Sequence, residues 1–170
     1  MEIQAEQAVF MLNVMLPLLE REHQTTVKVM EAVPADKADY KPDPNAKSAY
    51  ELAWHIAASE NRFLEGIAAG VFDFTSPERV KTMPEVVAWY KQTFAKNLAA
   101  IKKMNGEQLA KIVDFRGMFQ MPAVSYLLFT SHHSVHHRGQ LSVYLRPMGS
   151  LVPAIYGESY DSAAAKAARV

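Results

Sequence analysis

Four of the six histidines of this chain fall within ten residues, Ser131 to Gln140, which read Ser-His-His-Ser-Val-His-His-Arg-Gly-Gln. On an α-helix, residues four apart are neighbours at about 5–6 Å between Cβ atoms, so His133 pairs with His137 and His132 with His136. Two imidazoles at that separation can share one divalent ion, but two ligands are too few for a tight site. The spacing leaves both pairs open, because they differ by about 100° of rotation around the helix. A His-rich helix also fits a solvated surface patch or a hydrogen-bonded network without metal. The deciding question is whether the rest of the chain brings a third ligand to the same depth.

Composition limits what that third group can be. Cysteine is absent, which removes thiolate ligands, thiolate nucleophiles and disulfides together, and leaves His, Asp and Glu as the strong ligands. The same absence fits a reducing, cytoplasmic setting. Lys plus Arg number 18 and Asp plus Glu 18, so nothing favours the attraction to phosphate on which nucleic-acid binding depends, and no nucleic-acid partner is expected. The first residues carry acid where a secretory signal carries base. The longest apolar stretch, Ala8 to Leu19, is broken by Asn13 and Pro17 and is shorter than the roughly 20 residues of a spanning helix. A soluble protein with no membrane partner is expected. The 170 residues suffice for one domain, 1–170, with a sizeable core.

The elements that must position the histidines are helical. From about Ile3 to Val33, Val9, Leu12, Leu16, Leu19, Val27, Met30 and Val33 recur at helical spacing, with His23 on the same stripe. Pro17 either kinks this helix or divides it. His23 reads first as a core or partly exposed histidine and second as a pocket-lining group. A long loop containing Pro34, Pro42 and Pro44 follows. Ser48-Ala49-Tyr50-Glu51 is a capping box that starts a second helix at about Ala49, and Gly70 can end it. Leu52, Ile56, Ser59, Phe63 and Ile67 form its stripe, and His55 lies on or beside it.

Thr82-Met83-Pro84-Glu85 is a second capping box, opening a third helix with a Tyr90, Phe94, Leu98, Ile101 stripe that Asn105-Gly106 is expected to end. Residues Glu107 to Gln120 offer one helical turn at most, then an irregular stretch or a small hairpin. Pro122 is expected to open the fourth helix, which runs to Leu145 or Arg146 and carries the histidine cluster at its middle. The segment beyond, with Pro153 and Gly157, reads as extended. The tail, about 159–170, reads as mobile, with at most a weak Ala-rich helix. Four amphipathic helices joined by loops make an all-α four-helix bundle, whose interior can host metal sites built from facing helices. His55 and the middle of the fourth helix then meet at similar depth. Three neutral imidazoles leave a divalent ion with an open position, where water or a thiol loses its proton more readily, and their neutrality favours anionic substrates or bound thiolates.

His133-Ser134-Val135-His136-His137-Arg138-Gly139-Gln140-Leu141, followed by Tyr144-Leu145-Arg146 and Gly149, resembles the His-x-x-x-His-Arg-Gly-Gln-Leu signature of the DinB/YfiT-like bundle superfamily. Tyr40-Lys41-Pro42, Glu51-Leu52-x-x-His55, Gly70 and Pro153-x-Ile155-Tyr156-Gly157 extend the match in order along the chain. The resemblance implies an up-down-down-up bundle, often a homodimer, with one divalent metal ion held by His55, His133 and His137. Zinc and nickel are the ions it favours. It also implies a metal-dependent enzyme acting on a small molecule: a hydrolase, or a transferase or isomerase using a low-molecular-weight thiol. A non-catalytic, stress-linked metal-binding or dimeric interaction protein is the alternative.

Under this resemblance His132 and His136 become surface residues or neighbours of the site. Arg138 reads first as a helix-surface ion pair and second as a substrate contact, and Gly139 as an aid to close helix packing. Ser59 and Arg62, one and two turns beyond His55, can approach the open metal position, though a core hydroxyl and an exposed charge are their ordinary readings. Gln140 lies near the His133, His137 and Tyr144 face, as a hydrogen-bonding or substrate-recognising group. Tyr144, with Trp54, Trp89 and Tyr90, reads as core or pocket wall.

Overall fold

The computed structural model describes residues 2–168. Four long helices carry the fold: α1 (Ala5–Glu31), α2 (Ala49–Ala69), α3 (Met83–Ile101) and, after a short helix α4 (Gly106–Ala110) and a hairpin of β1 (Ile112–Phe115) and β2 (Phe119–Pro122), α5 (Tyr126–Leu145). A last helix, α6 (Tyr160–Ala167), closes the described chain. The two strands pair antiparallel, with Val113 opposite Met121. No helix among the described residues is long and apolar enough to cross a membrane.

Contacts between the helices fix their directions. Glu31 pairs with Lys91 and Glu20 with Lys102, so α1 and α3 are antiparallel. Trp54 meets Trp89 and Asn61 meets Asn97, so α2 and α3 run parallel. Glu60 meets Ser134 and Phe63 meets Phe129, so α2 and α5 are antiparallel. The result is the expected up-down-down-up bundle. Each boundary has a local cause: Ser48 Oγ accepts from the Glu51 amide at 3.1 Å while Glu51 accepts from the Ser48 amide at 2.8 Å, and Gly70 ends α2 in the left-handed conformation. Thr82 and Glu85 repeat the box at α3.

Three expectations need correction, and the alternative left open at Pro17 narrows. Of the two readings at Pro17, division is excluded: helix α1 is continuous through it, and the burial of Leu12, Leu16 and Leu19 outweighs an interior proline cost of about 3 kcal/mol. Its inward stripe begins at Ala8, which is fully buried, and Val9 faces outward. Asn105-Gly106 does not end α3, which stops at Ile101; Asn105 instead caps α4, accepting from the Gln108 amide at 2.9 Å. Gly106 is the residue that fits there, because a Cβ would come within 2.6 Å of the Ala5 carbonyl oxygen at the start of α1. Pro122 closes β2 and precedes a 3-10 turn at Ala123–Ser125, so α5 begins only at Tyr126. The Ala-rich helix allowed for in the tail is present as Tyr160–Ala167: Ser159 caps α6 by accepting from the Ser162 amide at 3.0 Å, and Asp161 accepts from Arg146 at 3.1 Å. Residues 169–170 of that tail lie outside the described residues.

The core divides into two apolar clusters, one around Val27, Met30, Leu52, Ile56, Val86, Leu141 and Leu145, the other around Leu12, Leu16, Leu64, Ile67, Ile101 and Leu127. Between them, at mid-bundle, lies a layer of buried polar side chains: His23 from α1, Glu60 and Asn61 from α2, and Ser134 and Arg138 from α5. The histidine cluster sits at this level.

Candidate metal centre

The buried stripe of α5 is Thr130, Ser134, Arg138 and Leu141. His133 and His137 precede Ser134 and Arg138 by one residue, so they project from the edge of the stripe nearest α2 and are half-buried. His132 and His136 are exposed. On α2, His55 is half-buried beside the buried Trp54 and Ile56 and faces the same edge. The structure therefore brings together His55, His133 and His137, and leaves His132 and His136 outside.

The Nε2 atom of His55 lies 3.1 Å from that of His137 and 3.2 Å from that of His133. All three ligand atoms fall within 4.8 Å of one another. Two nitrogens on a tetrahedral zinc ion, each at about 2.0–2.1 Å, would be about 3.3 Å apart, so the spacing is compatible with metal binding. Among the described residues no other group of His, Asp and Glu converges in this way.

Protonation suits the same role. Burial lowers the pKa of His55 to about 4, helped by His137, Lys47 and Arg62. Burial also lowers that of His133 to about 4, with smaller contributions from His137, His55 and His136. His137 is lowered by burial and partly restored by Gln140. All three rings are therefore neutral at pH 7, the form that offers a lone pair. His137 Nδ1–H donates to Gln140 Oε1 at 2.7 Å, which turns the Nε2 lone pair toward the other two rings. The Nδ1 atom of His133 is buried without a hydrogen-bond partner among the described residues.

Two hollows flank the triad. One, of about 300 Å³, is polar and includes His55, Ser59, Arg62, Lys47 and Arg79 in its walls. The other, of about 440 Å³, is mainly apolar and takes in His137, Gln140, Tyr144, Leu52 and Val143, with Lys47 again at its rim. A larger apolar hollow of about 650 Å³ between α1 and α3 contains no histidine. Ser59, Arg62, Gln140 and Tyr144 thus all border a hollow that reaches the triad. Ser59 is buried, and the Tyr144 hydroxyl donates to the Lys47 carbonyl at 3.3 Å.

Arg138 and Gly139 depart from expectation. Arg138 is not on the surface: it is buried, donates to Glu22 at 2.6 Å and to the Tyr156 hydroxyl at 2.6 Å, and thereby ties α5 to α1 and to the segment after α5. A Cβ on Gly139 would meet nothing within 4 Å, so close packing does not explain that residue.

Sequence reasoning also passed over Glu60. Its carboxylate is buried and accepts from His23 Nδ1 at 2.9 Å, the Tyr90 hydroxyl at 2.8 Å and the Ser134 hydroxyl at 2.6 Å, joining all four long helices. His23 is accordingly a core histidine, stacked on Phe94 at 3.7 Å between ring centroids. A signal was present, since Glu60 falls at helical spacing from Ile56 and Leu64, an acid on an apolar face.

The fold and the site together define an α-helical bundle with three converging imidazoles at its mid-level. The sequence profile of the DinB family matches residues 8–169, and the chain belongs to that family. YjoA of Bacillus subtilis is 29% identical over 126 residues, spanning 73% of this chain and 82% of YjoA. YrdA of the same organism is 33% identical over 117 residues, spanning 65% of this chain and 66% of YrdA. Among solved structures, the DinB-like YjoA superposes with a TM-score of 0.71 at 24% identity, over 85% of this chain and 99% of that one. A DinB-like protein from Bacillus cereus gives 0.72 at 23% identity, over 84% and 95%.

Proposed function

We propose that the protein is a metalloenzyme in which His55, His133 and His137 hold one divalent ion, zinc or nickel, and that it acts on a small molecule by activating a thiol or water. The observation that carries this reading is the convergence of three neutral imidazole nitrogens. With the His137 Nδ1 hydrogen given to Gln140, its Nε2 can only accept. An Nε2–H on His55 could donate to only one of its two neighbours and would leave the other nitrogen without a partner, whereas a cation would accept all three lone pairs at once.

Such an ion supplies Lewis acidity, lowering the pKa of a thiol or water that binds it. The chain's own groups do the rest. Gln140 orients His137, Trp54 and Ser59 wall the approach to His55, and Leu52, Val143 and Tyr144 offer an apolar surface beside His137. The reaction class, whether hydrolysis, thiol transfer or isomerisation, belongs to this proposal, as does a low-molecular-weight thiol cofactor. Cytoplasmic residence is inferred from the absence of cysteine.

A homodimer is proposed as the working assembly. Phe10, Val14 and Leu18 of α1 are 69%, 49% and 59% exposed at four-residue intervals, an apolar stripe that a second copy would cover.

The test is metal analysis of protein purified without chelators, followed by an activity screen with thiol cofactors. One equivalent of zinc or nickel and a thiol-dependent turnover are expected. A protein that takes up no metal overturns the reading, and one that binds metal without turnover against any thiol or hydrolytic substrate supports a non-catalytic metal-binding role instead.

A further inference from the structure

The polar hollow beside His55 holds three cationic side chains, Lys47, Arg62 and Arg79. None of them forms an ion pair among the described residues. The acid on the same wall, Glu51, is already engaged, accepting from the Ser48 amide at 2.8 Å and pairing with Lys41 at 3.6 Å. Asp73 feels the charge of Arg62, but the two do not close to an ion pair. Arg62 projects from α2 seven residues beyond His55, and its Nε atom is buried with no hydrogen-bond partner among the described residues. An unmatched N–H donor on a permanent cation is costly to bury unless an acceptor reaches it. Ser59 and Ser76 add hydroxyl donors to the same hollow. Its volume of about 300 Å³ matches a small polar group rather than a macromolecule.

We propose that this hollow seats the anionic end of the substrate, a carboxylate or phosphoryl group held by Arg62, Arg79 and Lys47, so that the adjoining atoms are delivered to His55. Arginine suits this task because its planar fork meets two oxygens of an oxyanion at once. The apolar hollow on the His137 side takes the remainder of the molecule, with Lys47 on the boundary between the two. The substrate is therefore a small, bipartite anion rather than a neutral apolar compound. The placing of the reacting atom rests on the metal-centre reading, whereas anion binding by the three cations does not.

The experiment uses full-length, metal-free protein at low salt and follows the Nε–Hε resonances of arginine by NMR during titration with succinate, with inorganic phosphate, and with neutral butane-1,4-diol. Saturable shifts of Arg62 and Arg79 are expected with the anions and none with the diol; the tighter of succinate and phosphate identifies the carboxylate or the phosphoryl group as the natural one. Arg62→Met is expected to weaken anion binding about tenfold, read at Arg79, with Arg79→Met, read at Arg62, as the second variant. Zinc uptake is measured on the same samples. Anion binding that is absent, or unchanged in both variants, overturns the proposal even if zinc binds. Zinc uptake that fails while the anion shifts persist overturns only the metal centre.

Discussion

Ser134 donates a 2.6 Å hydrogen bond to Oε2 of Glu60, and the residue immediately before it on α5 is His133. The buried carboxylate thereby fixes the rotation of α5 against α2, and with it the face on which His133 and His137 emerge. Glu60→Ala would leave the hydroxyls of Tyr90 and Ser134 and the His23 ring without their acceptor. It is expected to cost about 3 kcal/mol or more in urea unfolding, against about 1 kcal/mol for Ser134→Ala. Equal small effects for both would show that the carboxylate does not organise the layer.

Metal content should separate the two histidine pairs. His55→Ala, His133→Ala and His137→Ala are each expected to abolish stoichiometric metal in protein purified without chelators, while His132→Ala and His136→Ala keep it. Retention in any of the first three, read by elemental analysis, removes that residue from the ligand set.

Gln140 acts one step further out. Gln140→Leu keeps all three imidazoles but frees the His137 Nδ1 hydrogen, and metal affinity is expected to fall about 10–100-fold in a chelator competition. An unchanged affinity would mean that His137 needs no help to present Nε2.

Acid should weaken the metal-free protein over a defined window. His55 and His133 have folded-state pKa values near 4, below the 6.5 of a free histidine, so between those values the unfolded chain binds protons that the folded chain does not. Stability is present in full above about 6.5, falls as pH drops toward 4, and loses nothing further from these groups below that. The urea midpoint measured from pH 7.5 to 4 is expected to fall for the wild type and to fall less for a His55→Ala, His133→Ala double variant.

The assembly can be tested at the exposed face of α1. Phe10→Glu combined with Leu18→Glu is expected to shift the mass measured by light scattering from two chains to one, with the helical circular dichroism unchanged. A wild type that already runs as a monomer ends the homodimer proposal.

Much of this was legible in the chain itself, and the parts that were not share a cause. The capping boxes at Ser48 and Thr82 and the stop at Gly70 are local signals, and each fell where the residues indicated. Asn105-Gly106 misled because asparagine and glycine serve both a helix end and a helix start, and only the approach of Gly106 to Ala5 decides between them. Periodicity left His132 with His136 and His133 with His137 equivalent; family resemblance chose the second pair, and the structure brings that pair to His55. Arg138 and Glu60 were misread or missed for one reason. A buried charge is defined by partners distant in sequence, Glu22 for the one and His23, Tyr90 and Ser134 for the other.

The three converging histidines are also far apart along the chain: His55 is 78 residues from His133 and 82 from His137. His133 and His137 alone lie within one turn of one helix, so an ion held by them ties down nothing beyond that turn. With His55 as a third ligand, an ion would staple the second helix to the last long one and close a loop of some 80 residues, a constraint on the unfolded chain of the kind a disulfide imposes. In a protein without a single cysteine, the metal would be the only cross-link the fold has, and its loss would loosen the chain as well as empty the site.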